Sequence, residues 1–259
     1  MTKIISIANQ KGGVGKTTVT WNLGRCLTEM GCRVLMIDND PQGNLSTCAL
    51  EQIDEQSIRT EDLYLRKGSW GLGSFRPQRI SSHWFIIPTD GDLVGAEYYL
   101  VGRSQRESTL KNILEAQTSN FDYVLIDNPP SLNLLTLNGL VASQYVLIPV
   151  LPEHLSLEGL AQIQSSIKDL QRFHPHIQVL GSFLNIFNNR RKLGSDVEAL
   201  LKEELGDLVF NTKIHDSVKM AECTSFATPI MDYAPKSRSA LEYMDLAHEV
   251  VARIKDFKG

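Results

Sequence analysis

The stretch from Ile4 to Thr18, IISIANQKGGVGKTT, constrains this chain more than any other. An apolar run leads into a glycine-rich turn and then into the first turn of a helix, the order in which strand, loop and helix N-terminus build a phosphate cradle. Gly12, Gly13 and Gly15 let backbone N–H groups turn inward where side chains would obstruct them. Lys16 brings a compact positive charge to terminal phosphates, and the Thr17 hydroxyl can complete a magnesium shell. Val14 and Thr18 complete the nucleotide-binding stretch. The common pattern G-x-x-x-x-G-K-[ST] puts a glycine five residues before the glycine that precedes the lysine, and this chain has Gln10 there. A second lysine, Lys11, stands directly before Gly12 and Gly13.

Such a loop belongs to an α/β sheet, and the rest of the 259 residues agrees. Thr17 to Met30 carries apolar residues at helical spacing, with Gly31 as a stop. Arg33–Ile37, Trp84–Ile87, Phe121–Ile126, Tyr145–Val150 and Val179–Phe187 read as buried strands, and a short strand is expected near Val209. Helices are expected over Leu110–Ala116, Leu132–Val141, Ser156–Phe173, Asp196–Leu205, Val218–Cys223 and Ser239–Lys255. Residues 51–82 read as short helices and loops at the rim, with no function assigned. The alternation predicts a single domain, 1–259, with a mostly parallel twisted sheet covered by helices on both faces.

Composition excludes several classes. With 42% hydrophobic and 22% charged residues, the chain is neither disordered nor fibrous. A net charge of −4 means that any nucleic-acid contact comes from a local patch. Cys26, Cys32, Cys48 and Cys223 lack metal-binding spacing and read as reduced thiols. No apolar run approaches the roughly 18 residues of a membrane span. No leader is read before the first strand, so a cytoplasmic protein is expected.

Three carboxylates are expected at the loop's edge. Asp127 ends an apolar strand, the usual place for a residue that holds magnesium through water. Asp38 and Asp40 follow the second strand two residues apart, and would share a face if strand geometry persisted. One could position the attacking water while the other orients lysine or magnesium; either could instead cap the turn that Asp40-Pro41 signals. No Asn-Lys-x-Asp motif follows a later strand, which favours ATP over GTP.

KGGVGKTT, DNDPQGN and IDNPPS together resemble the ParA/MinD family of deviant Walker ATPases, specifically its short, Soj-like ParA branch. The likeness runs on through Pro149–Glu153, the helix holding Gly159, and Pro229-Ile230, Tyr233, Pro235 and Ser237-Arg238. It implies ATP and Mg2+ as cofactors and a homodimer formed face to face when ATP is bound. Lys11 would then reach the partner's phosphates in trans, Gly12 would lie at the closest approach of the chains, and Asp40 would position water. It also implies non-specific DNA binding by the ATP dimer, nucleoid association, and slow hydrolysis stimulated by a ParB-type partner. DNA contacts would fall on Arg190, Arg191, Lys192 and Lys219; the reading in which 190–192 is merely a solvated loop stands beside this. From Asn188 onward 11 Lys and Arg face 12 Asp and Glu, so the region is not basic overall. Asn185 and His215 would flank the adenine base, although His215 also reads as a packing residue. The chain departs from the family at Asn128, where Thr or Cys is common, at His215 in place of proline, and at Asp216, where many relatives are basic. The alternatives are a MinD-like regulator acting at a membrane, a metabolic enzyme of the same superfamily, and an ATPase that positions another cargo. The final residues, Ile254 to Gly259, are too short for a membrane anchor, so no membrane partner is expected.

Overall fold

The computed structural model describes residues 1–65, 75–153, 156–188 and 192–257, without side chains at 156–160 and 192–193. The expected DNA contacts Arg190 and Arg191 lie outside the described residues, as does the Lys192 side chain.

In chain order the elements are β1 (Lys3–Ile7), α1 (Lys16–Glu29), β2 (Val34–Asp38), α2 (Asn44–Ala49), α3 (Thr60–Leu65), β3 (Gln78–Arg79) and β4 (Trp84–Ile87). Next come α4 (Leu93–Val101), α5 (Thr109–Gln117), β5 (Tyr123–Asp127), α6 (Leu134–Ala142), β6 (Tyr145–Val150), α7 (Ser156–Gln171) and β7 (Gln178–Leu184). The last are α8 (Lys192–Leu205), α9 (Val218–Ser225), α10 (Ile230–Tyr233) and α11 (Arg238–Asp256). The sheet runs β3-β4-β2-β5-β1-β6-β7, parallel throughout except for the β3–β4 pair.

Strand alternation divides the core. In β2, Val34 and Met36 face a layer that includes α1 and α11, while Leu35 and Ile37 face one built with α3, α4 and α5. A third cluster lies under α7 and α8 against β6 and β7. Burial of both faces explains why these strands read as unbroken apolar runs. Helix α1 buries Val19, Leu23, Cys26 and Leu27 and stops at Gly31, whose φ is 81°. Gly31 N–H donates to Thr28 O at 2.9 Å and Cys32 N–H to Leu27 O at 3.1 Å, closing a Schellman motif.

Several expected boundaries shift. The expected strand at Val209 is a single bridge to Ser182. β7 ends at Leu184, short of Phe187, because Ile186 adopts φ 55°, outside strand geometry. α6 starts at Leu134 behind Asn133, whose side chain accepts from Thr136 N–H as its N-cap. Helices α2, α4 and α10 and strand β3 were not anticipated. Among the described residues no helix is long and apolar enough to cross a membrane.

Candidate nucleotide site

Register places the site. Asp127 pairs with Ile7 on one side and with Asp38 on the other, so β1, β5 and β2 end level at one edge of the sheet. The connection from β1 to α1 opens there, and β5 lies between β1 and β2, an arrangement that leaves a crevice for ligands at the carboxyl ends.

The loop's shape follows from its residues. Gly13 and Gly15 have φ of 74° and 82°, a region that favours glycine. A Cβ on Gly15 would also sit 2.6 Å from Asn185 Nδ2, which donates to Val14 O at 2.8 Å. Asn9 pins the other end: its Nδ2 donates to Pro149 O at 2.8 Å and its Oδ1 accepts from Lys11 N–H at 2.9 Å. Gly12 has no such constraint, since its Cβ would meet nothing nearer than Pro130 Cβ at 4.0 Å.

The two lysines point differently. Lys16 is buried, and its Nζ donates to Lys11 O at 3.3 Å across the loop. Lys11 lies on the rim, with Nζ 2.6 Å from Glu153 Oε2.

The carboxylates also separate by role. Asp127 is buried and accepts from Thr17 Oγ1 at 2.7 Å. Burial pushes its carboxyl up to about 8; the charge of Asp38 adds to this, and Thr17 and Lys16 oppose it. Burial likewise raises Asp38 to about 6, against the hydrogen bonds from Ser46. The strand stops at Asp38, so Asp38 and Asp40 do not continue along one face. Asp38 Oδ2 accepts from both N–H and Oγ of Ser46 at 2.7 Å, bracing the turn into α2. Asp40 Oδ1 accepts from Gln42 N–H at 3.0 Å, the turn-capping behaviour of an aspartate before proline. Burial lowers the pKa of Lys16, opposed by Asp127 and Asp40. Three acidic side chains crowd one buried lysine, and their mutual repulsion adds to the burial that raises Asp127 and Asp38. Among the described residues the three carboxyls do not converge on one metal position, but the Thr17 hydroxyl and the Asp127 carboxyl beside it are oxygen donors of the kind magnesium takes.

Behind the loop lies a mainly apolar pocket of about 210 Å³, whose lining includes Gly15, Thr18, Asn185, Ile214, His215 and Tyr243. His215 is held by the C-terminal helix: Glu242 Oε1 is 2.7 Å from its Nδ1, and Arg238 donates to its Nε2 at 2.7 Å. Arginine only donates, so the ring proton lies on Nδ1 and is donated to Glu242. His215 thus both packs and lines the pocket. Lys219 is exposed on α9, and Asp216 is exposed before it. Asn9, Ser46 and Glu153 also serve the site. Asn9 lies within the loop itself and Ser46 only eight residues from Asp38, whereas the pairing of Glu153 with Lys11 spans 142 residues and has no local signature.

A family model described as an AAA domain matches residues 2–179. The sporulation initiation inhibitor protein Soj of Bacillus subtilis is 41% identical over 255 residues, covering 97% of this chain and 99% of that protein. The chromosome partitioning protein ParA of Caulobacter vibrioides is 37% identical over 257 residues, covering 98% and 96%. This chain belongs to the ParA/MinD family of partitioning ATPases. Among solved structures, cobyrinic acid a,c-diamide synthase of Mycobacterium smegmatis with ADP and magnesium superposes with TM-score 0.82 at 32% identity, covering 98% of this chain and 96% of that one. MinD of Pyrococcus horikoshii with Mg-ADP gives 0.77 at 27%, covering 98% and 99%. A ParA/MinD-family chain with this loop and this donor set is built for ATP and Mg2+.

Proposed function

We propose that this chain is a partitioning ATPase whose ATP-bound form pairs face to face and binds DNA without sequence preference. Hydrolysis, accelerated by a ParB-type partner, would then release it. The observation that carries the reading is the divergence of the two loop lysines. Lys16 lies inside the chain's own cradle, while Lys11 is held at the rim by Glu153, 2.6 Å away. A lysine on the rim, outside the chain's own cradle, supports a role toward a second chain's phosphates. The fit at Gly12 supports the same reading: a Cβ there would make only an ordinary contact with Pro130 at 4.0 Å, so nothing described within the chain demands a glycine.

The inward N–H groups of residues 12–17 hold the phosphates, and Lys16 offsets their charge. Thr17 and Asp127, joined at 2.7 Å, would hold the magnesium ion, with Asp38 and Asp40 adding negative charge nearby. When bound, magnesium supplies charge neutralisation on the phosphoryl oxygens. Asp40 orients the attacking water at the edge of the turn. Lys11 from the partner adds positive charge where it develops during transfer. Asn185 and His215 flank the base.

DNA contact is assigned to Arg190, Arg191, Lys192 and Lys219. Pairing doubles this patch, and affinity grows with the number of phosphates neutralised, so binding should depend on ATP and fall with salt. The test is ATP hydrolysis measured with DNA and a candidate ParB-type protein, separately and together. Stimulation that requires both is expected. Stimulation by anionic vesicles instead, with co-sedimentation in ATP, would overturn the DNA reading.

A further inference from the structure

Asn39 stands between Asp38 and Asp40, and Asn128 directly follows Asp127. Both asparagines are fully buried, and their side chains meet. Asn39 Nδ2 donates to Asn128 Oδ1 at 3.1 Å and to Leu135 O at 2.8 Å, while Asn39 Oδ1 accepts from the Tyr64 hydroxyl at 2.7 Å. Asn128 Nδ2 donates to Ile7 O at 3.1 Å and to Ile126 O at 3.3 Å. Carbonyls only accept, so both amide orientations are forced by their neighbours. The backbone repeats the link, with Asn39 N–H donating to Asp127 O at 2.9 Å.

We infer that Tyr64, Asn39 and Asn128 form a buried positioning network that sets the Asp40 loop against the Asp127 loop for hydrolysis. It joins the ends of β1, β2 and β5 to α3 and α6. Asn39 and Asn128 lie just past the ends of β2 and β5, where one backbone bond, Asn39 N–H to Asp127 O, continues the ladder and the side-chain bonds carry the rest. The surroundings are shaped to fit. A Cβ at Gly139 on α6 would lie 2.1 Å from Asn128 Oδ1, so glycine there makes room for this amide. A threonine at 128 has one oxygen on a shorter stem and cannot reach Asn39 and the β1 carbonyl together. In a dry interior each missing partner leaves an amide unsatisfied, and the loops shift to recover it. Small displacements of positioning groups are costly in rate.

The inference rests on the roles proposed for Asp40 and Asp127. It is tested by measuring kcat and ATP affinity of the full chain for Tyr64→Phe, Asn39→Leu, Asn128→Thr and the Asn39→Leu/Asn128→Thr pair, beside Asp40→Ala. Asn39→Leu and Asn128→Thr are expected to lower kcat about tenfold with ATP affinity within about threefold of wild type. Tyr64→Phe keeps the ring, removes one donor, and should lower kcat about threefold. The pair should lose less than the product of the two single losses, because both residues belong to one unit. Wild-type kcat in Tyr64→Phe and Asn128→Thr would overturn the inference, as would a loss of ATP affinity parallel to the loss of kcat. If Asn39→Leu fails to fold, Tyr64→Phe decides. Should Asp40→Ala still hydrolyse ATP, the proposed site falls; should it be inactive while the network variants match wild type, only this inference falls.

Discussion

Glycines in one loop do different work, and substitutions separate them. Gly15→Ala combines positive φ with a contact of 2.6 Å on Asn185, so it should abolish ATP binding and cost about 1–3 kcal/mol of stability. Gly12→Val meets no clash within the chain, its Cβ touching only Pro130 at 4.0 Å, so its thermal midpoint should stay close to the wild-type value while ATP-dependent pairing is lost. Thermal melts and equilibrium nucleotide titration check both. The loop was legible in the sequence because its chemistry is local: glycines, lysine and threonine act through their own backbone and neighbours. Asn39 and Ser46 were not, since Asn39 acts through Tyr64 and Asn128, and Ser46 through Asp38 and through Thr89 N–H, which donates to its Oγ at 2.9 Å.

Elements followed the same logic. Strands buried on both faces announced themselves as apolar runs, and α1 did so through its stripe and its glycine stop. Helix α4 did not, because it is apolar all round: Leu93, Ala96 and Leu100 are buried while Val94, Tyr98 and Val101 are exposed, so no stripe stands out. Strand β3 is two residues long and carries no period. At the other edge, Arg253 on α11 donates to Asp207 O at 2.9 Å, Val209 O at 2.7 Å and Glu249 Oε1 at 3.0 Å, with its guanidinium 4.0 Å from the Phe210 ring centre. It ties the last helix to the segment after α8. Arg253→Met keeps the stem but orphans these acceptors, and should cost about 2–3 kcal/mol in urea unfolding. Hydrolysis per folded molecule should be unchanged, since the site lies elsewhere.

Across the whole molecule, buried carboxyls set the pH response. Burial raises Glu61 to about 7, alongside Asp38 at about 6 and Asp127 at about 8. Unfolded carboxyls titrate near 4, so between these values the folded state holds protons that the unfolded state has lost. Stability without magnesium should therefore fall as pH rises from 5 to 8. Glu198 and Glu249 are lowered by their partners and add little slope over this range, while His174, lowered by burial, works in the opposite sense but is one group against three. Glu61→Gln removes one of the raised groups, so urea unfolding at pH 5 and pH 8 should differ less than in wild type. An undiminished difference would exclude Glu61 as a source.

On the proposed function, ATP turns one site into half of a shared one, through Lys11. The most direct test of this is the mass in solution of wild type and Lys11→Ala, by light scattering on gel filtration with magnesium and a non-hydrolysable ATP analogue. Wild type is expected at twice the mass of the chain, and Lys11→Ala at the mass of one chain while still binding the analogue. A wild-type monomer, or a Lys11→Ala dimer, would contradict it.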